Sequence, residues 1–246
     1  MHDVCVSVHA LHALRKNRFL AVSLRCDYAS EVVELLLRYR KVLVATTHRL
    51  VARDALLGAA VGALLFATIL AVPFKREIAR AAFHAPRAFG PCADAINTLG
   101  GGWELVVASA LLALCGVIVR SRRLIDTVLV VAAAGVWCYA LTALGQFVLS
   151  EDRPIEGGAM HWFAGFGHGV SGHASAAALV PWAAREIVRT RTARTIAVAL
   201  AIVWLVVVAW SRVWLGMHHA WNVLLGVAIG TWTGHAASAG LRDVDA

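Results

Sequence analysis

The sequence predicts an all-α, polytopic membrane protein, built as a bundle of six transmembrane helices. Of its 246 residues, 60% are hydrophobic and only 15% are charged, and the mean hydropathy is positive. The apolar residues are clustered in blocks close to the roughly 20 residues that a helix needs to cross the hydrocarbon core. This content and this clustering exceed what a soluble core requires.

The apolar blocks predict six spans in chain order. They cover residues 55–74, 102–119, 124–149, 171–189, 195–210 and 218–239. The fourth is the weakest, because its apolar stretch ends near Ala184. Periodicity alone does not distinguish a short span from an amphipathic helix.

Three segments follow from these spans: an N-terminal arm (residues 1–52), a membrane domain (residues 53–240) and a tail (residues 241–246). The arm is amphipathic or irregular, and Ser30 fits the N-cap of a helix. A helix lying on the inner membrane surface is favoured over a separate binding domain. The first residues lack the apolar core of a cleavable signal peptide.

The net charge of +8 reflects topology rather than nucleic-acid binding. With both termini cytoplasmic, seventeen Lys and Arg residues lie on the cytoplasmic side and six on the opposite side. The positive-inside rule predicts this asymmetry, and attraction to anionic headgroups adds to it. We expect a multi-pass protein of a bacterial-type inner membrane, with membrane lipids and no nucleic acid as partners.

The cysteines predict neither a disulfide framework nor a zinc site. Their spacing contains no CxxC pair and no Cys/His ligand pattern. We therefore expect no metal and no cofactor. The five are Cys5, Cys26, Cys92, Cys115 and Cys138.

Polar segments of the C-terminal half fall on the outer side of the membrane, at the ends of the helices. Charged groups near a bilayer are costly unless they pair or take part in function, so their convergence on one side indicates a site. The segments are Arg153-Pro154, Ser171-Gly172-His173, Ser211-Arg212, and His218-His219 with Asn222.

These residue types fit phosphoryl transfer without a metal. The planar guanidinium groups of Arg153 and Arg212 match phosphate oxygens. The Ser171 hydroxyl and the amides after it lie at a helix N-terminus, which favours an anion. Imidazole titrates near neutral pH, so one histidine can attack phosphorus while a second protonates the leaving oxygen.

The chain resembles the type 2 phosphatidic acid phosphatase superfamily, whose three motifs are Lys-x6-Arg-Pro, Pro-Ser-Gly-His and Ser-Arg-x5-His-x3-Asp. The resemblance covers residues from about 55 to 239 and preserves the order of the motifs. Here they read Gln146-x6-Arg153-Pro154, Val170-Ser171-Gly172-His173, and Ser211-Arg212-x5-His218-x3-Asn222.

The resemblance implies a role for each matching residue. His218 would be the nucleophile that forms a phosphohistidine, and His173 the acid that protonates the leaving group. The phosphate would be held by Arg153, Arg212, Ser171 and Gly172, and enzymes of this superfamily need no metal.

Three positions depart from the pattern. Gln146 replaces the lysine, so one positive charge is lost and a neutral donor remains. Val170 replaces a proline that shapes the turn. Asn222 replaces the aspartate: at i+4 from His218 it shares a helix face, and its carbonyl oxygen can hold the second N–H of the ring, but it offers no negative charge to an imidazolium.

Other residues of the same types have simpler explanations. His161, His168, His219 and His235 are interpreted as packed or interfacial, since a lone histidine in an apolar region usually is. Without the motifs, Arg153 and Arg212 would be equally well explained as interfacial residues whose side chains snorkel to the membrane surface. Because His173 and His218 each lie within a spaced motif, a functional role is favoured over a packing role for these two.

Three functions remain open. The first is hydrolysis of a lipid-linked phosphate or diphosphate at the outer leaflet, with undecaprenyl diphosphate as first choice and phosphatidic acid or phosphatidylglycerol phosphate as the alternative. The second is a catalytically weakened lipid-phosphate-binding protein, indicated by Gln146 and Asn222. A transporter is disfavoured, because no paired broken helices recur in two related halves.

Overall fold

The computed structural model describes residues 30–53, 55–71, 90–149 and 169–246. The chain divides into two compact units, Met1–Lys41 and Val42–Ala246. In the first unit, the described residues 30–41 are helical and expose the apolar side chains of Val32, Val33, Leu36 and Leu37. The predicted boundaries at residues 52/53 and 240/241 stay a prediction.

Regular structure in the described part of the second unit is helical throughout. After helical residues 42–48 comes a π-helical turn, Arg49–Arg53. The helices that follow are α1 (Ala55–Ala71), α2 (Gly90–Leu99), α3 (Gly102–Ile118), α4 (Arg122–Leu149), α5 (Gly172–Ala177), α6 (Val180–Ile187), α7 (Arg191–Trp214) and α8 (Ala220–Asp245).

The fold class is confirmed as an all-α membrane bundle. Two helices, α4 and α7, are long and apolar enough to cross a bilayer. A third candidate is the pair α2 and α3, which bends by 48° at the glycine turn 100–101. The count of six spans stays a prediction, because the described residues supply two or three such candidates by length and composition.

The predicted single helix over residues 171–189 is wrong. The segment forms the short helices α5 and α6, separated by a turn at Ala178 and Leu179. Pro181, at the start of α6, explains the break, because proline has no amide hydrogen and clashes with the preceding turn of a continuous helix. The apolar pattern of the sequence also did not predict α2.

The helix α8 is the most buried one, and a row of glycines lets other helices approach it closely. Gly226, Gly230 and Gly234 recur every four residues and therefore share one helix face. A Cβ at Gly230 would overlap the main-chain oxygen of Ser175, and one at Gly234 would overlap the ring of Trp182. The row thus seats α5 and α6 directly on α8.

Residues 42–48, which the sequence analysis assigned to the arm, also pack on α8. Val42 and Thr46 are fully buried, and a Cβ at Gly240 would lie 3.0 Å from the Thr46 nitrogen. One turn later, Arg49 forms an ion pair with Asp243 at 2.7 Å. These contacts join residues 42–49 to α8.

Candidate active site

The start of α5 is built by Ser171. Its side-chain oxygen accepts a hydrogen bond from the amide of Ala174 at 3.4 Å, which makes Ser171 the N-cap. Its carbonyl accepts from both the amide and the hydroxyl of Ser175, at 3.0 and 2.9 Å. The helix α5 is only six residues long. Its position is therefore fixed by these hydrogen bonds and by packing against neighbouring helices.

Gln146, near the end of α4, contacts the segment just before α5. Its side-chain amide donates to the carbonyl of Val170 at 2.9 Å, which leaves a second N–H of the same amide as a donor. The approach is close because Gly145 faces Val170, where a Cβ would overlap the valine side chain. Gln146 thus positions the backbone that enters the second motif.

The third motif lies at the end of α7 and in the turn after it. The carbonyl of Arg212 accepts from the amides of Met217 and His218 at 3.0 and 3.2 Å. Gly216, at φ 60°, supplies the left-handed conformation that this turn needs. Arg212 and His218 are both buried, with 3% and 8% of their surface exposed.

The second and third motifs meet through their backbones. The amide of Ser171 donates to the carbonyl of Asn222 at 3.1 Å. A Cβ at Gly226 would lie 2.5 Å from the Ser171 carbonyl oxygen, so this glycine permits the contact. Arg212 lies close enough to His173 for its charge to act on the imidazole.

His173 is oriented by a residue outside the three motifs. Its ring donates a hydrogen bond to the main chain of Asn97, near the end of α2. One ring nitrogen is thereby engaged, and the other is left for proton exchange. Asn97 lies in an unremarkable stretch before the glycine turn, so no motif in the sequence indicates it.

The prediction that Asn222 shares a helix face with His218 is wrong. The helix α8 begins at Ala220 with His219 as its N-cap, so His218 lies in the preceding turn. Asn222 is nevertheless buried, with 1% of its surface exposed, and it follows the turn that carries His218. Whether it orients the nucleophile stays a prediction.

Two of the remaining histidines make the aromatic contacts expected of packed residues. His219 stacks on Trp221 with centroids 4.6 Å apart, and His235 meets Trp182 edge-on at 5.3 Å. Arg153, His161 and His168 lie outside the described residues. Among the described residues, no group of three or more His, Cys, Asp or Glu side chains could hold a metal ion.

The model of the PAP2 superfamily matches residues 146–243, which contain all three motifs. This stretch, less than half of the chain, is similar to the PAP2 superfamily. The predicted resemblance and the predicted class, a hydrolase acting on phosphoric esters, are therefore confirmed. The roles assigned to single residues stay predictions.

A solved PAP2 protein shares the fold. The crystal structure of the first transmembrane PAP2-type phosphatidylglycerolphosphate phosphatase, from Bacillus subtilis, superimposes with a TM-score of 0.62 at 19% identity. The alignment covers 80% of this chain and 96% of that one. No curated protein matches the chain.

An apolar cavity of about 760 Å³ adjoins the PAP2 motifs. It lies between α3, α4 and α5, and Gly172 and His173 line one end of it. Trp103 and Tyr139, which also line it, have 73% and 75% of their surface exposed, so the cavity opens at the outer surface of the bundle.

Space is left at Gly172 itself. Among the described residues, Thr142 would be the nearest neighbour of a Cβ there, at 3.9 Å, so the packing of the described residues does not demand glycine at this position. The open side of Gly172 therefore gives a ligand access to the start of α5.

Proposed function

We propose that the chain hydrolyses a lipid-linked phosphate or diphosphate at the outer leaflet of a bacterial-type inner membrane. The observation that carries the proposal is the apolar cavity that ends at Gly172 and His173. A hydrophobic cavity that reaches a phosphate-binding motif suits a substrate with a charged head and an apolar tail.

The proposed reaction has two steps, and both use the histidines. A ring nitrogen of His218 attacks phosphorus, the bond between phosphorus and the leaving oxygen breaks, and His173 gives that oxygen a proton. Water then attacks the phosphohistidine and loses its proton to His173, which releases inorganic phosphate and restores both imidazoles. His173 is suited to both steps, because Asn97 holds one ring nitrogen.

The anion would be held by positive charge and by a helix start. Arg212 is almost fully buried, and a desolvated guanidinium interacts with phosphate more strongly than one in water. Ser171 and Gly172 would offer the donors at the start of α5, and Gln146 its second amide hydrogen. Arg153 would complete the set.

Two lipids lead the candidates. Undecaprenyl diphosphate is the first choice, because the site is proposed to face outward. Phosphatidylglycerol phosphate is the second candidate, favoured by the substrate in the name of the solved relative. Phosphatidic acid shares the phosphomonoester of the second candidate and completes the comparison.

The test is phosphate release by the full-length protein in detergent, with EDTA present, on each of these three lipids. His218→Ala serves as the blank, and we expect it to lower turnover by about 10⁴-fold or more, as loss of a nucleophile does elsewhere. Turnover that survives this substitution, or no turnover on any of the lipids, would defeat the proposal.

A catalytically weakened binder remains the alternative, because Asn222 stands where the superfamily has aspartate. Asn222→Asp discriminates between the two functions. A carboxylate near the nucleophile should hold its ring in the productive tautomer and stabilise its imidazolium, so a weakened enzyme should gain about tenfold or more in turnover. Lipid binding without turnover in both forms would favour the binder.

A further inference from the structure

The end of the bundle opposite the PAP2 motifs carries a second concentration of charge. Arg122 begins α4 and Gln146 lies 24 residues later, about 36 Å along the helix axis at 1.5 Å per residue. This separation is close to the thickness of a bilayer core. The two ends of α4 therefore lie at opposite membrane interfaces.

Arginines from four parts of the chain surround one cavity at this far end. Its volume is about 810 Å³. Three carboxylate side chains line it (Asp126, Glu186 and Asp245) against seven arginines, and the terminal carboxylate of Ala246 also lies in its lining, so positive charge is in excess. The arginines are Arg120, Arg122, Arg123, Arg185, Arg189, Arg194 and Arg242.

Some of these arginines serve the fold. Arg122 pairs with Asp245 at 2.9 Å, and Arg194 donates to the carbonyls of Val188 and Arg189 after the end of α6. Each of these guanidinium groups thus has a partner inside the protein.

Three others have no such role in the described part of the chain. The guanidinium groups of Arg120, Arg123 and Arg189 make no hydrogen bond and no ion pair with the described residues, although all three line the cavity. These donors are therefore available to a ligand, and Arg123 and Arg189 approach the cavity from different elements.

Two further observations set this group apart from a solvated charged surface. Arg120 has a φ of 48°, in the position after α3 where glycine is usual, so the chain keeps a side chain there at a cost. Burial, followed by the charge of Arg185, lowers the pKa of Arg242 from its usual range. The arginines are thus close enough to repel one another.

We propose that this cavity binds the phosphate group of an anionic phospholipid at the interface opposite the catalytic motifs. Arginine offers bidentate donors to phosphate oxygens. Basic pockets between transmembrane helices are suited to such headgroups, and a bound phosphate would relieve the repulsion among the arginines. The lipid would be a structural ligand and not a substrate.

The test measures retention of phosphatidylglycerol by the full-length protein, with native mass spectrometry and with thermal unfolding in detergent. Phosphatidylcholine, which is zwitterionic and has no net charge, is the comparison lipid. We expect Arg123→Gln and Arg189→Gln each to weaken binding by about five-fold, the size of one arginine contact at a membrane surface. Neither side chain has a hydrogen-bond or ion-pair partner among the described residues, so both variants should fold.

The matched control is Arg191→Gln. Arg191 is exposed at the start of α7 and does not line the cavity. This change therefore removes one positive charge at the same end of the bundle without altering the cavity. Wild-type binding in this variant, with loss in the other two, would support the site. Equal loss in all three, or no loss in any, would overturn it.

A soluble anion is tested separately by replacing the lipid with inorganic phosphate. Thermal protection by phosphate that equals the protection by phosphatidylglycerol would overturn the assignment to a lipid. Arg189→Lys adds a second check, since it keeps the charge but not the planar fork; unchanged binding would count against bidentate recognition. All readouts are independent of turnover, so they succeed or fail whether or not the proposed phosphatase activity exists.

Discussion

Arginine is found at both ends of the bundle, but in different environments. We call the end with the PAP2 motifs the motif end and the end with the arginine-lined cavity the far end. At the motif end, Arg212 is buried with 3% of its surface exposed and lies close to His173. At the far end, seven arginines share a cavity with carboxylates and solvent, and Arg122 has 68% of its side-chain surface exposed.

The difference separates two uses of positive charge. A charge without water around it acts strongly on one group held in one place, which catalysis requires. Several partly solvated charges attract an anion without fixing the angle of attack. At the motif end, histidine side chains lie near Arg212. The described residues that line the far cavity include no histidine.

The largest expected effect concerns the histidines of the motif end. We expect His173→Asn to lower turnover by about 10²–10⁴-fold, because it removes the group that transfers the proton. Phosphate release by the purified variant measures this. His219→Asn is the control, since His219 is more buried than His173 but stacks on Trp221; a comparable loss there would show that burial, and not proton transfer, explains the effect.

A second prediction separates the two arginine groups directly. Arg212→Gln should lower turnover by about 10²–10³-fold, the usual cost of removing one donor to a developing anion, and should leave retention of phosphatidylglycerol unchanged. Arg123→Gln should do the reverse. Turnover and retention of phosphatidylglycerol are measured on both variants. If either substitution lowered both properties equally, the two arginine groups would not have separate functions.

The smallest expected effect concerns the glycine row that seats the motif end on α8. Gly230→Ala places a Cβ against the Ser175 carbonyl and should lower the free energy of unfolding by about 1–3 kcal/mol. The corresponding fall in Tm is about 2–4 °C per kcal/mol. Thermal unfolding in detergent measures it.

Gly62→Ala is the control for this substitution. No atom of the described residues lies within 4 Å of a Cβ at Gly62, in the middle of α1, so alanine there should be neutral or slightly stabilising. An equal fall in Tm for both variants would mean that helix propensity, and not the contact with α5, determines the result.

Much of the fold could be predicted from the sequence because long apolar runs constrain it strongly. The spans predicted at residues 102–119 and 124–149 match α3 and α4 to within two residues. The break at Pro181 could have been predicted from the proline alone. The close packing of α5 on α8 was signalled by the spacing of Gly226, Gly230 and Gly234, a small-residue pattern typical of membrane helix contacts.

The site was predictable where spacing along the chain reports chemistry, and not where contacts come from distant segments. The motifs indicated Ser171, His173, Arg212 and His218, and the structure joins their segments at one end of the bundle. The contact between His173 and Asn97 joins helices far apart in sequence. No local pattern encodes such a contact.

The cavity beside His173 bears on where the products of the proposed reaction would go. Inorganic phosphate is soluble and would leave on the aqueous side, whereas the dephosphorylated lipid would keep its tail in the apolar cavity. That cavity opens past Trp103 and Tyr139 at the bundle surface, so the lipid could diffuse sideways into the bilayer. Two separate exits would let each product depart without waiting for the other.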